Sequence, residues 1–157
     1  MLSQPPVQAV AAAALTGVVS RLAANGTTLI VPEGDALLGL LSSDQIVESG
    51  PKPTLAYGAD ARKTGFHVMA NPGQHWAEAL TGLAACGASL ILGYHGSRPQ
   101  AGHPLVPVLR ISSESEVYSV FGADLDLVLD GDPNDWTEQI LRLVVATASQ
   151  EYQVRAL

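Results

Sequence analysis

The chain has 157 residues, of which 47% are hydrophobic and 15% are charged, and its formal net charge is −7 at pH 7. This composition excludes an intrinsically disordered chain and predicts one globular domain spanning residues 1–157. The eight Lys and Arg residues are scattered among fifteen Asp and Glu, so we expect binding neither to nucleic acid nor to an anionic membrane.

Cys86 is the single cysteine, so no disulfide can form within the chain. A reducing compartment is therefore expected. The alanine-rich stretch VQAVAAAALTGVVSRLA lacks the positively charged start of a signal peptide and is too short to span a membrane. Because alanine is the best helix former, the stretch predicts a buried helix of a cytoplasmic protein.

The first third of the chain predicts a helix, a strand and a second helix. The first helix covers SQPPVQAVAAAALTGVVSRLAANG, with Ser3 or Gln4 just before its first turn and Gly26 at its end. The β-branched run TTLIV predicts a buried strand, which the turn PEGD follows. ALLGLLSSDQIV is assigned to the second helix.

The middle of the chain predicts a long connection and then two strands separated by a helix. Residues 48–65 are rich in Pro, Gly and Lys, and PTLAYG within them is open to interpretation as a short strand. FHVMA predicts the second core strand, and NPGQ is expected to cap the helix HWAEALTGLAACG. ASLILGY predicts the third strand.

The last third of the chain predicts a fourth strand and two helices. In the strand LVPVLRIS, Pro107 favours an edge position or a bulge. SESEVYSVF predicts a short helix capped by Ser112 or Ser113, and DLDLVLDGD is either a strand or an extended segment. Asp132 is predicted to cap the closing helix. That helix has an apolar face formed by Ile140, Leu143, Val144 and Thr147. The alternation of helices and apolar strands predicts a three-layer α/β domain with a mostly parallel sheet.

Polar segments follow three of the predicted strands, namely PEGD, NPGQH and YHGSRPQAGH. In open parallel sheets, ligands bind beyond the carboxyl ends of the strands. Arginine suits a bidentate grip on a carboxylate, and histidines and carboxylates suit a divalent metal or proton transfer. The candidate residues in these loops are Glu33, Asp35, Asn71, His75, His95, Arg98 and His103.

Each candidate also has a purely structural interpretation. Glu33 and Asp35 suit the capping of the next helix, and Cys86 suits packing within a helix. His67 fits a satisfied core or surface position, His75 a solvated helix start and His103 a loop. The acidic run from Asp124 to Asp132 is typical of a solvated edge, with a cation site as the alternative.

Residues 65–112, GFHVMANPGQHWAEALTGLAACGASLILGYHGSRPQAGHPLVPVLRIS, resemble the C-terminal region of the altronate/galactarate dehydratase family of sugar-acid dehydratases. The Gly-x-His-x-Met…Pro-Gly stretch is the most specific part. AAALTGVVSRLAANGTTLIVPEGDALLG upstream and DLDLVLDGDPNDWTEQILRLVV downstream are similar to the family as well. The resemblance therefore spans most of the chain.

The resemblance implies a stand-alone version of a Rossmann-like C-terminal domain. Full-length members of that family are much longer and perform a metal-dependent dehydration, usually with iron or manganese. A partner subunit is therefore expected to supply the missing catalytic region, and the chain is also expected to form a homo-oligomer.

The departures from the family pattern fall at the predicted strand ends. The family's Asp-Thr-Pro corresponds to Ala70, Asn71 and Pro72, so one carboxylate is lost. The family's Thr-Thr-Gly-Arg-Gly-Thr-Pro loop corresponds to residues 94–99, with one residue fewer and a displaced Arg. Glu33 matches the first Glu of the family's Glu-Thr-Pro-Glu loosely, while His67 matches well. Altered loops on a retained scaffold imply changed or lost activity.

Three functions follow from these observations. The first is an accessory or small-carboxylate-binding subunit that lacks full catalysis alone. The second is an active carbon–oxygen hydro-lyase, and the third is a structural homodimerisation domain. The expected catalytic residues are Glu33 and His95, and the expected substrate-binding residues are Asn71, Ser97 and Arg98.

Overall fold

A computed structural model of the chain describes residues 1–4, 7–39, 54–73 and 75–155. Strands and helices alternate through these residues. The strands are β1 (Leu2–Gln4), β2 (Leu29–Pro32), β3 (Phe66–Met69), β4 (Ile91–His95), β5 (Val108–Ser112) and β6 (Leu127–Val128). The α-helices are α1 (Ala9–Ala24), α2 (Trp76–Ala85), α3 (Ser115–Phe121) and α4 (Trp136–Ala148).

Every pair of neighbouring strands in the described chain is parallel. One sheet has the order β1-β4-β5-β6, and β2 pairs with β3 in a second sheet. The backbone nitrogen of Met1 donates to the carbonyl of Ile30 at 2.6 Å, so β1 and β2 lie next to each other. The predicted α/β fold with a mostly parallel sheet is confirmed.

The two faces of the central strands pack against different helices. Leu92 and Tyr94 of β4 belong to a core cluster formed with α1 and α4. Ile91 of β4 and Val108 of β5 belong to a second cluster formed with α2. Because successive side chains of a strand point to opposite faces, this division produces the three layers.

The helix α1 packs closely on α4 through a glycine. A Cβ atom at Gly17 would lie 2.7 Å from the Thr137 hydroxyl oxygen, and this hydroxyl donates to the carbonyl of Ala14 at 3.1 Å. The helix ends at Ala24, and Gly26 adopts φ +75°, as is usual after a helix C-terminus. Among the described residues, no helix has the length and apolar character needed to cross a membrane.

Asp132 caps the 3-10 helix that precedes α4, whereas the residue at the N-terminus of α4 itself is Asp135. The Asp132 carboxylate accepts from the backbone nitrogen of Asn134 at 3.0 Å, and Pro133 opens a short 3-10 helix that leads into α4. On the predicted apolar face, Ile140 and Thr147 are buried, and Leu143 and Val144 pack against the core at its margin.

The predicted start of the first helix is wrong. Ser3 and Gln4 lie in β1 instead of preceding a first helical turn, and α1 begins only at Ala9. The sequence suggested a helix because Pro5 suits a first turn, but Ser3 is drawn into the sheet by pairing with Tyr94 and by its bonds to Asp35. Of the predicted second helix, residues 36–39 form one turn of 3-10 helix, and the remainder lies outside the described residues.

The prediction that Pro107 lies within a strand, at an edge position or a bulge, is also wrong. The strand β5 begins after Pro107 and lies between β4 and β6. Pro107 contributes a carbonyl that accepts from the nitrogen of Ile91 at 2.9 Å, and its missing N–H breaks no bond within the strand. The ambiguous segment DLDLVLDGD contains β6. Within PTLAYG, Leu55 forms a single parallel bridge with Met69.

The predicted helix caps before α2 and α3 differ from the observed ones. The residues at these N-termini are His75 and Glu114, and neither makes a capping bond through its side chain. Ser112 still contributes at α3, because its hydroxyl oxygen accepts from the nitrogen of Glu114 at 3.1 Å.

Candidate functional site

A cleft of about 310 Å³ opens where β1, β2 and β3 end. The turn after β2 forms one wall, and its position is set by the nitrogen of Glu33, which donates to the carbonyl of Met69 at 2.7 Å. The start of α2 forms the opposite wall. The polar side chains that line the cleft belong to Ser3, Glu33, Asp35, Asn71 and His75. Two of the three loops that the sequence placed at one edge therefore meet here.

Asp35 holds the floor of the cleft together. Its carboxylate is buried and accepts from the nitrogen of Ser3 at 2.6 Å, from the Ser3 hydroxyl, and from the nitrogen of Leu37 at 2.8 Å. The bond to Leu37 caps the 3-10 helix at 36–39, which confirms the capping interpretation for Asp35. With these bonds Asp35 connects β1 to the turn that follows β2.

Asn71 lies at the end of β3 and is 7% exposed. Its side-chain oxygen is buried and has no hydrogen-bond partner within the described ranges. An unpaired buried polar atom costs about 1–3 kcal/mol, so native structures usually pair such atoms with protein, water or a ligand. The side-chain oxygen of Asn71 is therefore a cleft atom that can accept a hydrogen bond from a ligand.

Glu33 and His75 both line the cleft and are exposed, so they form its rim. Glu33 follows β2 directly, and His75 occupies the residue before α2 in an extended conformation. The first N–H groups of a helix lack partners inside the helix. The cleft thus has the Glu33 carboxylate as a hydrogen-bond acceptor, and the N-terminal turn of α2 borders it.

His95 is fully buried at the end of β4 and does not line this cleft. Its ring packs on Trp76 with the ring centroids 4.7 Å apart and the planes inclined at 44°. Burial, and secondarily the positive charge of Arg110, lowers the pKa of His95 to about 4. The imidazole is therefore neutral at neutral pH.

Ser97 and Arg98 are exposed on the loop that follows β4, and neither lines the cleft. The structure thus brings Glu33 and Asn71 together but leaves His95, Ser97 and Arg98 apart from them. The loop continues to His103, whose ring nitrogen Nδ1 accepts from the nitrogens of Leu105 and Val106, both at 3.2 Å. The interpretation of His103 as a loop residue is confirmed.

His67 and Cys86 also match their structural interpretations. The His67 ring is buried and lies 2.6 Å from the carbonyl oxygen of Lys63 through Nε2. Cys86 is buried in the cluster beneath α2, where burial raises the pKa of its thiol. A thiol in this state is a poor nucleophile.

Three residues that are important in this region were not assigned a site role from the sequence. Ser3 was assigned to a helix start, and Trp76 was treated only as part of a helix. Arg110 is buried in β5 at 3% exposure. A signal for Arg110 did exist, because a charged residue in the middle of the apolar run LVPVLRIS is unusual for a buried strand.

The family model described as D-galactarate/altronate dehydratase, C-terminal, matches residues 47–156 of this sequence. The match covers well over half of the chain and includes β3 to α4, with Asn71, His75 and His95. It does not include β1 with Ser3, or β2 and the following Glu33, although both of these residues line the cleft. No curated protein matches the sequence.

The side chains of the described residues do not fit the iron or manganese that the family resemblance implies. Among the described residues, no group of three or more His, Cys, Asp or Glu side chains is close enough together to hold a metal ion. In the cleft, the Asp35 carboxylate is already engaged by Ser3 and Leu37. Glu33 and His75 remain as potential ligands, and a metal would need further ones.

Proposed function

Because the chain belongs to the D-galactarate/altronate dehydratase C-terminal family, we propose that it is an accessory subunit that binds a small hydroxy acid and does not complete a dehydration alone. The observation that supports this proposal most is that Glu33 and Asn71 line the same cleft. Both side chains follow parallel strands at the edge where ligands bind in such sheets.

The hydroxyl groups of a sugar acid suit this lining. The Glu33 carboxylate accepts hydrogen bonds from hydroxyls, and the unpaired oxygen of Asn71 requires a donor. A cleft of about 310 Å³ is at the lower end of the range for small-molecule sites. A short polyhydroxylated acid is therefore the ligand class that we assign to it.

The accessory role rests on the incomplete set of metal ligands. The described residues provide no group of three, and the carboxylate of the family's Asp-Thr-Pro is replaced by Ala70. We propose that a partner subunit supplies the remaining ligands above the rim formed by Glu33 and His75. The proposed complex is cytoplasmic, which agrees with the buried free thiol of Cys86.

Calorimetric titration of the purified chain with galactarate and altronate tests the proposal. We expect binding to the wild type and at least tenfold weaker binding to Glu33→Gln, with Glu116→Gln on α3 as the matched control. A dehydration assay with added iron or manganese is run in parallel, and we expect no product from the chain alone. Turnover by the isolated chain would support the hydro-lyase alternative and overturn the accessory role.

A second experiment addresses the partner. Mixing the chain with a protein that carries the family's missing central region should give a complex by light scattering, and dehydration should then appear. If the chain forms only dimers with itself and binds no acid, the structural homodimerisation alternative is correct.

A further inference from the structure

Arg110 is a buried cation that has no carboxylate partner among the described residues. It lies in β5, between β4 and β6, and is 3% exposed. None of the ion pairs formed within residues 1–4, 7–39, 54–73 and 75–155 includes Arg110. Buried charges are normally paired, because the loss of hydration costs several kcal/mol for each ion.

The neighbouring carboxylate does not serve as this partner. Asp126 contacts Arg110 through the backbone, since its Oδ2 accepts from the Arg110 backbone nitrogen at 2.7 Å. The other oxygen, Oδ1, accepts from the Tyr152 hydroxyl and from the nitrogen of Arg155, both at 2.9 Å. Both Asp126 oxygens are therefore occupied, and the guanidinium group is bound elsewhere.

The guanidinium group uses only part of its hydrogen-bonding capacity. Its Nε donates to the carbonyl of Gln100 at 3.2 Å and its Nη1 to the carbonyl of Arg155 at 2.7 Å. A guanidinium carries five N–H bonds, and within the described chain its Nη2 makes no hydrogen bond. Three N–H groups thus have no protein partner in the described chain. Nη2 is not among the fully buried polar atoms that lack a partner, so it is accessible from outside the protein.

The loop after β4 passes close to Nη2. A Cβ atom at Gly102 would lie 2.8 Å from Nη2, so any larger residue there would press on the guanidinium. The Trp76 indole nitrogen holds the neighbouring carbonyl of Ala101 at 3.0 Å. The loop is thereby fixed next to Arg110 with a glycine at the point of closest approach.

We propose that Arg110 is a receptor for a small carboxylate, which binds Nη2 beside Gly102 under the loop after β4. A carboxylate is planar and matches the paired N–H groups of a guanidinium. Arg98, which the sequence singled out for this role, is exposed on the same loop. The assignment of the ligand as a hydroxy acid rests on the proposed function. The inference that Arg110 binds an anion is independent of that function.

The test uses the full chain and glycolate, the smallest 2-hydroxy acid, as the probe. In the wild type, the side-chain ¹⁵N signals of Arg110 should shift on titration with glycolate. Arg110→Lys should weaken glycolate binding about tenfold, because lysine retains the charge and loses the paired donors. Arg62→Gln, an exposed variant far from β5 in sequence, should bind like the wild type.

Three outcomes would overturn the proposal. The first is an unchanged set of Arg110 signals at saturating glycolate, a result that needs no variant and so does not depend on folding. The second is equal affinity in wild type and Arg110→Lys, and the third is a loss confined to Arg98→Gln. Galactarate binding that depends on Glu33 but not on Arg110 would refute this inference and leave the proposed function intact.

Discussion

The indole ring of Trp76 lies between the cleft and the imidazole of His95, with the two ring centroids 4.7 Å apart. Trp76 lines the cleft on one side and covers the fully buried His95 on the other. Its indole nitrogen also donates to the carbonyl of Ala101, which fixes the loop after β4. The Trp76 side chain thus separates His95 from the cleft, although the sequence had placed His95 in one site with the cleft residues.

Removing this cover should raise the pKa of His95. Burial is the main cause of the lowered value of about 4, so Trp76→Ala should move it upward by about one unit or more. NMR titration of the imidazole signals measures the change. Trp136→Phe, a buried substitution on the other side of the sheet, is the control, and an unchanged His95 pKa in Trp76→Ala would contradict this explanation.

His95 should make the stability of the protein depend on pH. Its pKa is lowered from 6.5 to about 4 by folding, so well above pH 6.5 the imidazole is neutral in both states and has no effect. As the pH falls from 6.5 to 4, the unfolded chain binds a proton that the folded chain does not. The free energy of unfolding should then fall by roughly 3 kcal/mol.

Urea denaturation between pH 4 and pH 7.5 checks this dependence. His95→Gln should lose the His95 contribution, so that its curve is flatter than that of the wild type. His75→Gln, which replaces an exposed imidazole, should follow the wild type. Parallel curves for wild type and His95→Gln would refute the prediction.

Asp35→Asn should destabilise the protein by about 2–3 kcal/mol. The substitution removes a buried charge that accepts from the nitrogen of Ser3 at 2.6 Å and from the nitrogen of Leu37 at 2.8 Å, and bonds to charged groups are the stronger class. Asp60→Asn, in an exposed ion pair, should change stability by less than about 0.5 kcal/mol. Similar losses in both variants by chemical denaturation would contradict the role of Asp35.

Gly17→Ala should be destabilising even though alanine favours helices by about 1 kcal/mol. The added methyl group would lie 2.7 Å from the Thr137 hydroxyl oxygen, and such overpacking costs about 1–3 kcal/mol. In a Thr137→Ala background the clash is absent, and the same substitution should become neutral or stabilising. Thermal melts of the wild type, the two single variants and the double variant measure these effects on stability. Equal effects of Gly17→Ala in both backgrounds would exclude the clash.

The sequence predicted the fold well where local pattern and tertiary packing agree. The Asp132 cap and the apolar face of α4 arise from local preferences that the core then reinforces. Ser3 shows the opposite case, because its place in β1 depends on Tyr94, which is distant in sequence. Pro107 was misjudged for a similar reason, since only the observed start of β5 shows that the proline precedes the strand.

The candidate site was predicted in part. The rule that ligands bind at the carboxyl ends of parallel strands placed Glu33 and Asn71 correctly at one cleft. The same rule could not separate His95 from them, because the position of the Trp76 ring depends on how α2 packs. Arg110 was missed although its charge within the apolar run LVPVLRIS was a signal, because the sequence does not show which groups surround a buried side chain.

Binding of a sugar acid in the cleft is tested most directly by mapping galactarate binding through chemical-shift perturbation on the ¹⁵N-labelled chain. If the cleft binds the acid, the largest shifts should be at the backbone amides of Glu33, Gly34, Asn71 and His75, and Glu33→Gln should abolish them at the same ligand concentration. If the cleft amides are unperturbed at millimolar galactarate, or if the shifts are confined to other parts of the surface, the cleft is not the binding site.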